Sequence, residues 1–171
     1  MASIEQQLAA LQAQVRRLDD IEAIRTLRMR YHYFINEGLF DRAWEIYTED
    51  ARVVWSTAGT AQGHAEIVAL FRTLPQTADF VKHFVSNHLV EVEGDEATGI
   101  AYVDAEYAAG GESSLIAGKY EERYRRTAAG WRISETLLTT YFKATLQEGW
   151  GKMVETFADR AVDPAHPAGK S

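Results

Sequence analysis

The stretch VKHFVSNHLVEVEGDEATGIAYVDAEYAA, residues 81–109, decides the fold. Gly94-Asp95 divides it into two β-rich runs, and such a pair between extended segments is a hairpin signal. In the second run the odd positions Ala97, Gly99, Ala101, Val103, Ala105 and Tyr107 are mostly small, while the even ones include Ile100, Tyr102, Asp104 and Glu106. Successive strand residues point to opposite faces, so one face is stripped of bulk. Turned toward covering helices, that face leaves volume for a ligand among small and aromatic side chains. The same pattern also serves a helix that packs closely, and both readings stand at this point.

Downstream, segments at 114–126 and 130–144 follow Gly110-Gly111 and Ala129-Gly130. Together the four segments predict an antiparallel, strongly curved sheet. Upstream the pattern is helical. Leu8, Leu11, Val15, Leu18, Ile21, Ile24 and Leu27 recur every three or four residues, which predicts one helix from residue 3 to about 36. Its first half, Ile4 to Leu18, is a narrow heptad-like stripe expected to pack on the domain or on another subunit. Gly38 ends it, and Asp41 is placed to cap a short second helix. Val53-Val54-Trp55 reads as a strand, and Gly59 and Gly63 bracket a turn. A third helix is expected from Ala65 to Leu74, limited by Pro75. Helices followed by a long meander predict an α+β fold, with helices on one face of a bent sheet. One domain is expected over residues 1–160, its last helix at about 147–160, with a disordered tail over 161–171.

A net charge of −7 opposes binding to phosphate backbones, so no nucleic-acid partner is expected. The absence of cysteine removes disulfides, thiolate nucleophiles and thiolate metal sites. The charged first thirty residues predict neither a signal peptide nor a membrane span, hence a cytoplasmic location. The histidines at 32, 64, 83, 88 and 166 lack helical zinc spacing, and no phosphate loop or nucleophile elbow occurs. No metal and no cofactor are expected.

His83 opens a strand on which alternation places Val85, Asn87 and Leu89 on its own face; a histidine on an apolar face is a candidate base or a satisfied core residue. Tyr31 continues the apolar face of the long helix, so its hydroxyl either enters the pocket or bonds a backbone carbonyl.

These residues belong to a longer pattern: Tyr31-x4-Asn36-Glu-Gly-x2-Asp41, Tyr47-Thr-Glu-Asp50-Ala-Arg-Val53, His83-Phe-Val-Ser-Asn87, and Gly118-Lys-Tyr120-x3-Tyr124-Arg-Arg-x3-Gly130-Trp131-Arg-Ile133. From about residue 18 to 150 it resembles the SnoaL-like branch of the nuclear transport factor two-like superfamily. That group includes polyketide cyclases, scytalone dehydratase, bile-acid dehydratase, hexachlorocyclohexane dehydrochlorinase and ketosteroid isomerase. The resemblance implies a cone-shaped α+β barrel around one pocket, without naming a reaction. His83 falls on the histidine that acts as base in the dehydratases and the dehydrochlorinase. Asn36 falls where they carry the aspartate that orients it; an amide fixes a tautomer but does not stabilise an imidazolium. Tyr31 falls on a tyrosine that donates to a substrate oxygen. Trp55 replaces both the isomerase's aspartate base and a scytalone dehydratase tyrosine, and Tyr107 lies near the latter's second histidine.

The expected catalytic residues are therefore His83, Tyr31, Asn36 and Tyr107, with Trp55, Phe34, Val85, Asn87, Ala101, Val103 and Tyr120 around a small hydrophobic organic substrate. The leading reading is a dehydratase-, cyclase- or isomerase-like enzyme. A binding or assembly module that has lost the aspartate is the alternative, and an epoxide-hydrolase-like use of Asp104 or Glu106 a third. A homo-oligomer, dimer or trimer, is expected through the outer sheet face at Tyr102, Asp104 and Glu106 with the Tyr120–Tyr124 segment.

Overall fold

A capping box opens the first helix: the Ser3 hydroxyl accepts from the Gln6 N–H at 3.2 Å, and the Gln6 side-chain oxygen accepts from the Ser3 N–H at 2.9 Å. From there α1 runs Ile4–Asn36 without a break. The structure, a computed structural model, describes residues 2–56 and 59–147. All but the first residue of the expected last helix, and the tail 161–171, lie outside the described residues.

The apolar stripe Ile4, Leu8, Leu11, Val15 and Leu18 is exposed, so among the described residues nothing packs on this face of the first half of α1. The helix is anchored to the sheet at Asp20, whose carboxylate takes two hydrogen bonds from Arg126 at 2.8 and 2.7 Å and one from the Trp131 indole at 3.0 Å. Burial begins at Ile24 and includes Leu27, Tyr31, Phe34 and Ile35. Gly38, at φ 70°, then turns the chain.

Phe40–Ile46 forms a 3-10 turn rather than an α-helix. Asp41 does not cap it; its carboxylate takes the Arg72 Nε–H at 2.8 Å and ties this turn to the helix that ends at Arg72. After β1 (Tyr47–Trp55) and β2 (Gly59–Gln62) come α2 (Gly63–Arg72) and the single turn α3 (Leu74–Thr77). Pro75 sits in the first turn of α3, where its missing N–H costs nothing, and so opens a helix instead of only limiting one. The meander is β3 (Phe80–Glu93), β4 (Glu96–Ala109), β5 (Glu112–Thr127) and β6 (Gly130–Leu146).

The sheet has six strands in the order β2-β1-β6-β5-β4-β3. The meander is antiparallel as expected, but the sheet as a whole is mixed and open, because β1 lies parallel to β6. Parallel neighbours need a crossover, and the passage through α2 and α3, from β2 at one edge to β3 at the other, supplies it. Between Ser86 and Leu89 the chain advances three residues while its partner β4 advances two, from Tyr102 to Ile100. This is a β-bulge, and Asn87 occupies it at φ 51°, a conformation asparagine tolerates better than most residues. The bulge inverts side-chain parity, so His83 and Val85 face the helices before it, and His88, Val90 and Val92 after it.

Alternation in β4 holds: Ala97, Ala101, Val103 and Ala105 are buried, and Asp104 is exposed on the opposite face. The volume they leave is not all empty. Ala97 pairs with Tyr124 and Ala101 with Tyr120, and both tyrosines are buried. A Cβ on Gly99 would lie 3.0 Å from the Tyr124 ring and 3.1 Å from His88 Nε2. At this end small residues make room for large neighbours; open space begins beyond Val103. The same burial removes Tyr120 and Tyr124 from the outer face.

Candidate functional site

Where β4 carries Val103 and Ala105, β5 passes with Gly118. A Cβ there would stand 2.7 Å from the Thr139 carbonyl oxygen, so no larger residue fits. The space left under α1 is a cavity of about 130 Å³, close to the roughly 150 Å³ that holds a benzene. It brings together His83, Tyr31, Trp55, Tyr107, Val103 and Tyr120 of the expected residues, and adds Ile35, Leu74, Ala78, Val81, Ala105, Ile116, Leu138 and Thr140. The lining is largely apolar, and no carboxylate is among these residues.

His83 projects from β3, the edge strand, with its Nδ1 buried and unpartnered among the described residues. Burial, followed by the positive charge of Arg28, pushes its pKa down to about 3, so the ring is neutral at physiological pH. Asn36 approaches the backbone of His83: its Nδ2 donates to the His83 carbonyl oxygen at 3.1 Å, and its Oδ1 accepts from the His83 N–H at 2.7 Å. A primary amide presents the donor and acceptor of a neighbouring strand, and here it covers the free edge of β3. Long contacts from Arg25 to the His88 carbonyl and from Arg17 to the Val92 carbonyl, at 3.4 and 3.5 Å, continue that cover. Because a carboxylate would face the His83 carbonyl oxygen with no proton to give, Asn36→Asp is expected to cost about 1–3 kcal/mol. Urea denaturation checks this; unchanged stability would contradict the backbone role.

Tyr31 lies edge-on to His32, ring centres 5.1 Å apart, and edge-on to Tyr120, ring centres 6.3 Å apart. Burial raises both phenols above their ordinary pKa, which keeps them protonated as donors. Tyr107, half-buried, donates to the Thr77 carbonyl oxygen and so holds α3 against β4 at the edge of the cavity. The Trp55 N–H is buried without a partner among the described residues.

Four expected lining residues fall elsewhere. Phe34 is buried on another side of α1, beneath the Arg42 guanidinium, 4.8 Å from its ring centre. Val85 faces the helices but is not part of the cavity wall, and Ala101 is covered by Tyr120. Asn87 is exposed on the bulge, which strict alternation did not anticipate.

Behind the cavity lies a buried polar cluster. Arg28 Nη1 donates to Glu122 Oε1 at 2.9 Å, with both side chains essentially inaccessible. Tyr124 donates to Glu122 Oε2 at 2.6 Å, Thr136 to Oε1 at 3.0 Å, and His88 Nε2 meets the Tyr124 hydroxyl at 3.1 Å. The Arg28 guanidinium lies 3.5 Å from the Tyr120 ring centre and 4.5 Å from that of Tyr31. Burial disfavours this cation, but Glu122 and the tyrosines outweigh that, and its pKa stays above the usual range. His32 is buried between Arg28 and His83, 5.3 Å from the latter ring, with both nitrogens unpartnered among the described residues. Burial, then Arg28 and the other histidines, hold its pKa well below the ordinary value. Two signals in the sequence mark this cluster: Arg28 interrupts the apolar face Ile24-Leu27-Tyr31, and Glu122 sits between Tyr120 and Tyr124 at inward parity.

Comparison with known proteins agrees with this architecture. The SnoaL-like domain model matches residues 16–137. An NTF2-like protein with a cystatin-like fold from Novosphingobium aromaticivorans is 30% identical, with TM-score 0.64 over 81% of this chain and 90% of that one. The hexachlorocyclohexane dehydrochlorinase LinA-type3 from Novosphingobium barchaimii LL02 superposes with TM-score 0.72 at 23% identity, over 78% and 94% of the two chains. A scytalone dehydratase-like protein from Novosphingobium aromaticivorans DSM 12444 gives 0.69 at 18%, over 91% and 97%. No curated protein sequence matches. The family model spans well over half of the chain, and with the six-stranded sheet and its covering helices it establishes that the protein belongs to the SnoaL-like domain family.

Proposed function

We propose that this protein takes a small, largely apolar carbonyl compound into the cavity and acts on it as a cofactor-independent lyase or isomerase. His83 accepts a proton from the carbon beside the carbonyl, and Tyr31, backed by Tyr120, donates to the oxygen that gains charge. Electrons from the broken C–H bond move into the enolate. They then either take a proton at another carbon, which shifts a double bond, or expel a leaving group from the neighbouring carbon. The observation that carries this reading is the convergence of a neutral imidazole and a protonated phenol on one apolar cavity. Relatives of this fold that are named a dehydrochlorinase and a scytalone dehydratase-like protein support the reaction class.

An imidazole whose conjugate acid has a pKa of about 3 is a weak base. The substrate's C–H must therefore already be acidified, as a benzylic or allylic CH₂ beside a ketone is. The cavity volume limits such a molecule to about one ring. Phenylacetone in D₂O provides an assay that needs no knowledge of the physiological substrate, since loss of its CH₂ proton signal reports proton abstraction. His83→Ala is expected to lower the exchange rate about 10²–10⁴-fold, and Tyr31→Phe about 10-fold or more. Full exchange in both variants would refute these roles.

A second reading is favoured by the lack of any carboxylate in the lining and by Asn36 holding backbone: the cavity binds its ligand without converting it. Phenylacetone binding with no exchange above the buffer rate would select that reading.

A further inference from the structure

Sixteen residues of α1 precede Asp20, the point where the helix is anchored, and their apolar side chains have no cover within the described domain. Ile4, Leu8, Leu11, Val15 and Leu18 are 84, 55, 59, 55 and 58% exposed. Their alternating spacings of four and three residues form an unbroken two-stranded seam, roughly 20 Å long at 1.5 Å per residue. The positions beside the seam are Glu5, Gln7, Gln12, Gln14 and Asp19, three of them uncharged. An isolated helical arm of this length is marginal in water unless tertiary packing supports it.

We infer that this arm pairs with the arm of a second copy of the chain, as an antiparallel two-helix coil crossing at Leu11. Direction follows from charge. Glu5 and Arg16 are eleven residues apart, three turns, and so lie on the same side of the helix. Run antiparallel about Leu11, Glu5 of each copy stands within one residue of the level of Arg16 of the other. Run parallel, each residue stands beside its own like, Asp19 beside Asp19 included. Size is consistent with a dimer: the five side chains expose on the order of 600 Å² per copy, so the paired seam reaches the lower bound of a standard interface, about 1,200 Å² in total. This contact is separate from the outer sheet face and leaves the cavity open.

The chain contains no cysteine, so single cysteines report the pairing directly. Under mild oxidation Leu11→Cys is expected to form a disulfide-linked dimer. Ile4→Cys alone is expected to stay unlinked, and mixed Ile4→Cys and Leu18→Cys proteins to cross-link to each other, because only antiparallel arms bring those positions within disulfide reach. Light scattering is expected to show the particle mass halved by the triple variant Leu8→Glu, Leu11→Glu, Val15→Glu, with the near-ultraviolet spectrum of the domain's aromatic core retained. Self-linking of Ile4→Cys would overturn the antiparallel arrangement. Absence of any cross-link with an unchanged mass in the triple variant would overturn the pairing. That second result is also expected if a different protein or residues 148–171 of the same chain cover the seam.

Discussion

Glu122→Gln is expected to destabilise the fold by about 3–5 kcal/mol. Glu122 accepts from Arg28, Tyr124 and Thr136 at a site closed to water. Glutamine preserves the shape and one acceptor oxygen but leaves the Arg28 cation with no opposite charge in a low-dielectric interior, the expensive way to break a buried pair. Arg28→Met alone is expected to cost about as much, because it strands the carboxylate. The double variant is expected to lose far less than the sum of the two, since removal of both charges removes the desolvation cost as well. Denaturant unfolding of the four proteins closes the cycle. Additive losses would mean that Arg28 and Glu122 act independently, contrary to their 2.9 Å contact.

The second large effect is on stability against pH. His83 and His32 both have folded-state pKa values below the unfolded value of about 6.5, principally through burial. Above pH 6.5 neither state is protonated and stability is complete. As the pH falls through 6.5 the unfolded chain takes up a proton at each histidine, while folded His83 resists until about pH 3, so stability decreases with acidity. For His83 linkage gives about 2 kcal/mol lost between pH 7 and pH 5, and His32 acts in the same direction. Asp20, whose pKa is lowered first by its hydrogen bond to Arg126, adds to the loss only in the more acidic range. The expected signature is a urea midpoint that drops steeply from pH 7 to pH 5 in the wild type, with a shallower slope in His32→Phe. A flat wild-type profile would mean that the two imidazoles are hydrated in the folded protein.

Much of the architecture is legible in the chain because periodicity reports burial directly. The long helix, the four meander strands with their glycine turns, and the small-residue face of β4 follow from spacing alone. What spacing does not carry is register. The bulge at Asn87 takes one extra residue, so a reading by strict alternation puts Asn87 inside and His88 outside, the reverse of what forms. Pairing between strands is equally hidden. Ala97 and Ala101 look like vacant space until Tyr124 and Tyr120 of β5 are laid beside them. The direction of β1 against β6 depends on a crossover that no local pattern encodes.

At the site, residue type predicted presence better than partner. His83, Tyr31, Trp55 and Tyr107 meet at the cavity as residue spacing and family resemblance suggested. Asn36 arrives at the right histidine but grips its backbone, since an amide satisfies an open strand edge as a carboxylate does not. The Arg28–Glu122 pair is hidden in the sequence, because a charged residue on an apolar stripe ordinarily marks the stripe's edge, whereas here two such interruptions, 94 positions apart, compensate each other.

The central claim is that a one-ring ligand enters the cavity and touches His83. Phenol, a planar oxygen-bearing mimic of an enolate, tests it in ¹⁵N-resolved NMR of the His83 ring and the Trp55 indole. Saturable shifts at both residues, weakened by Tyr31→Phe, are the result this account predicts. Resonances that stay in place at saturating phenol, or shifts confined to residues outside the cavity, would contradict it.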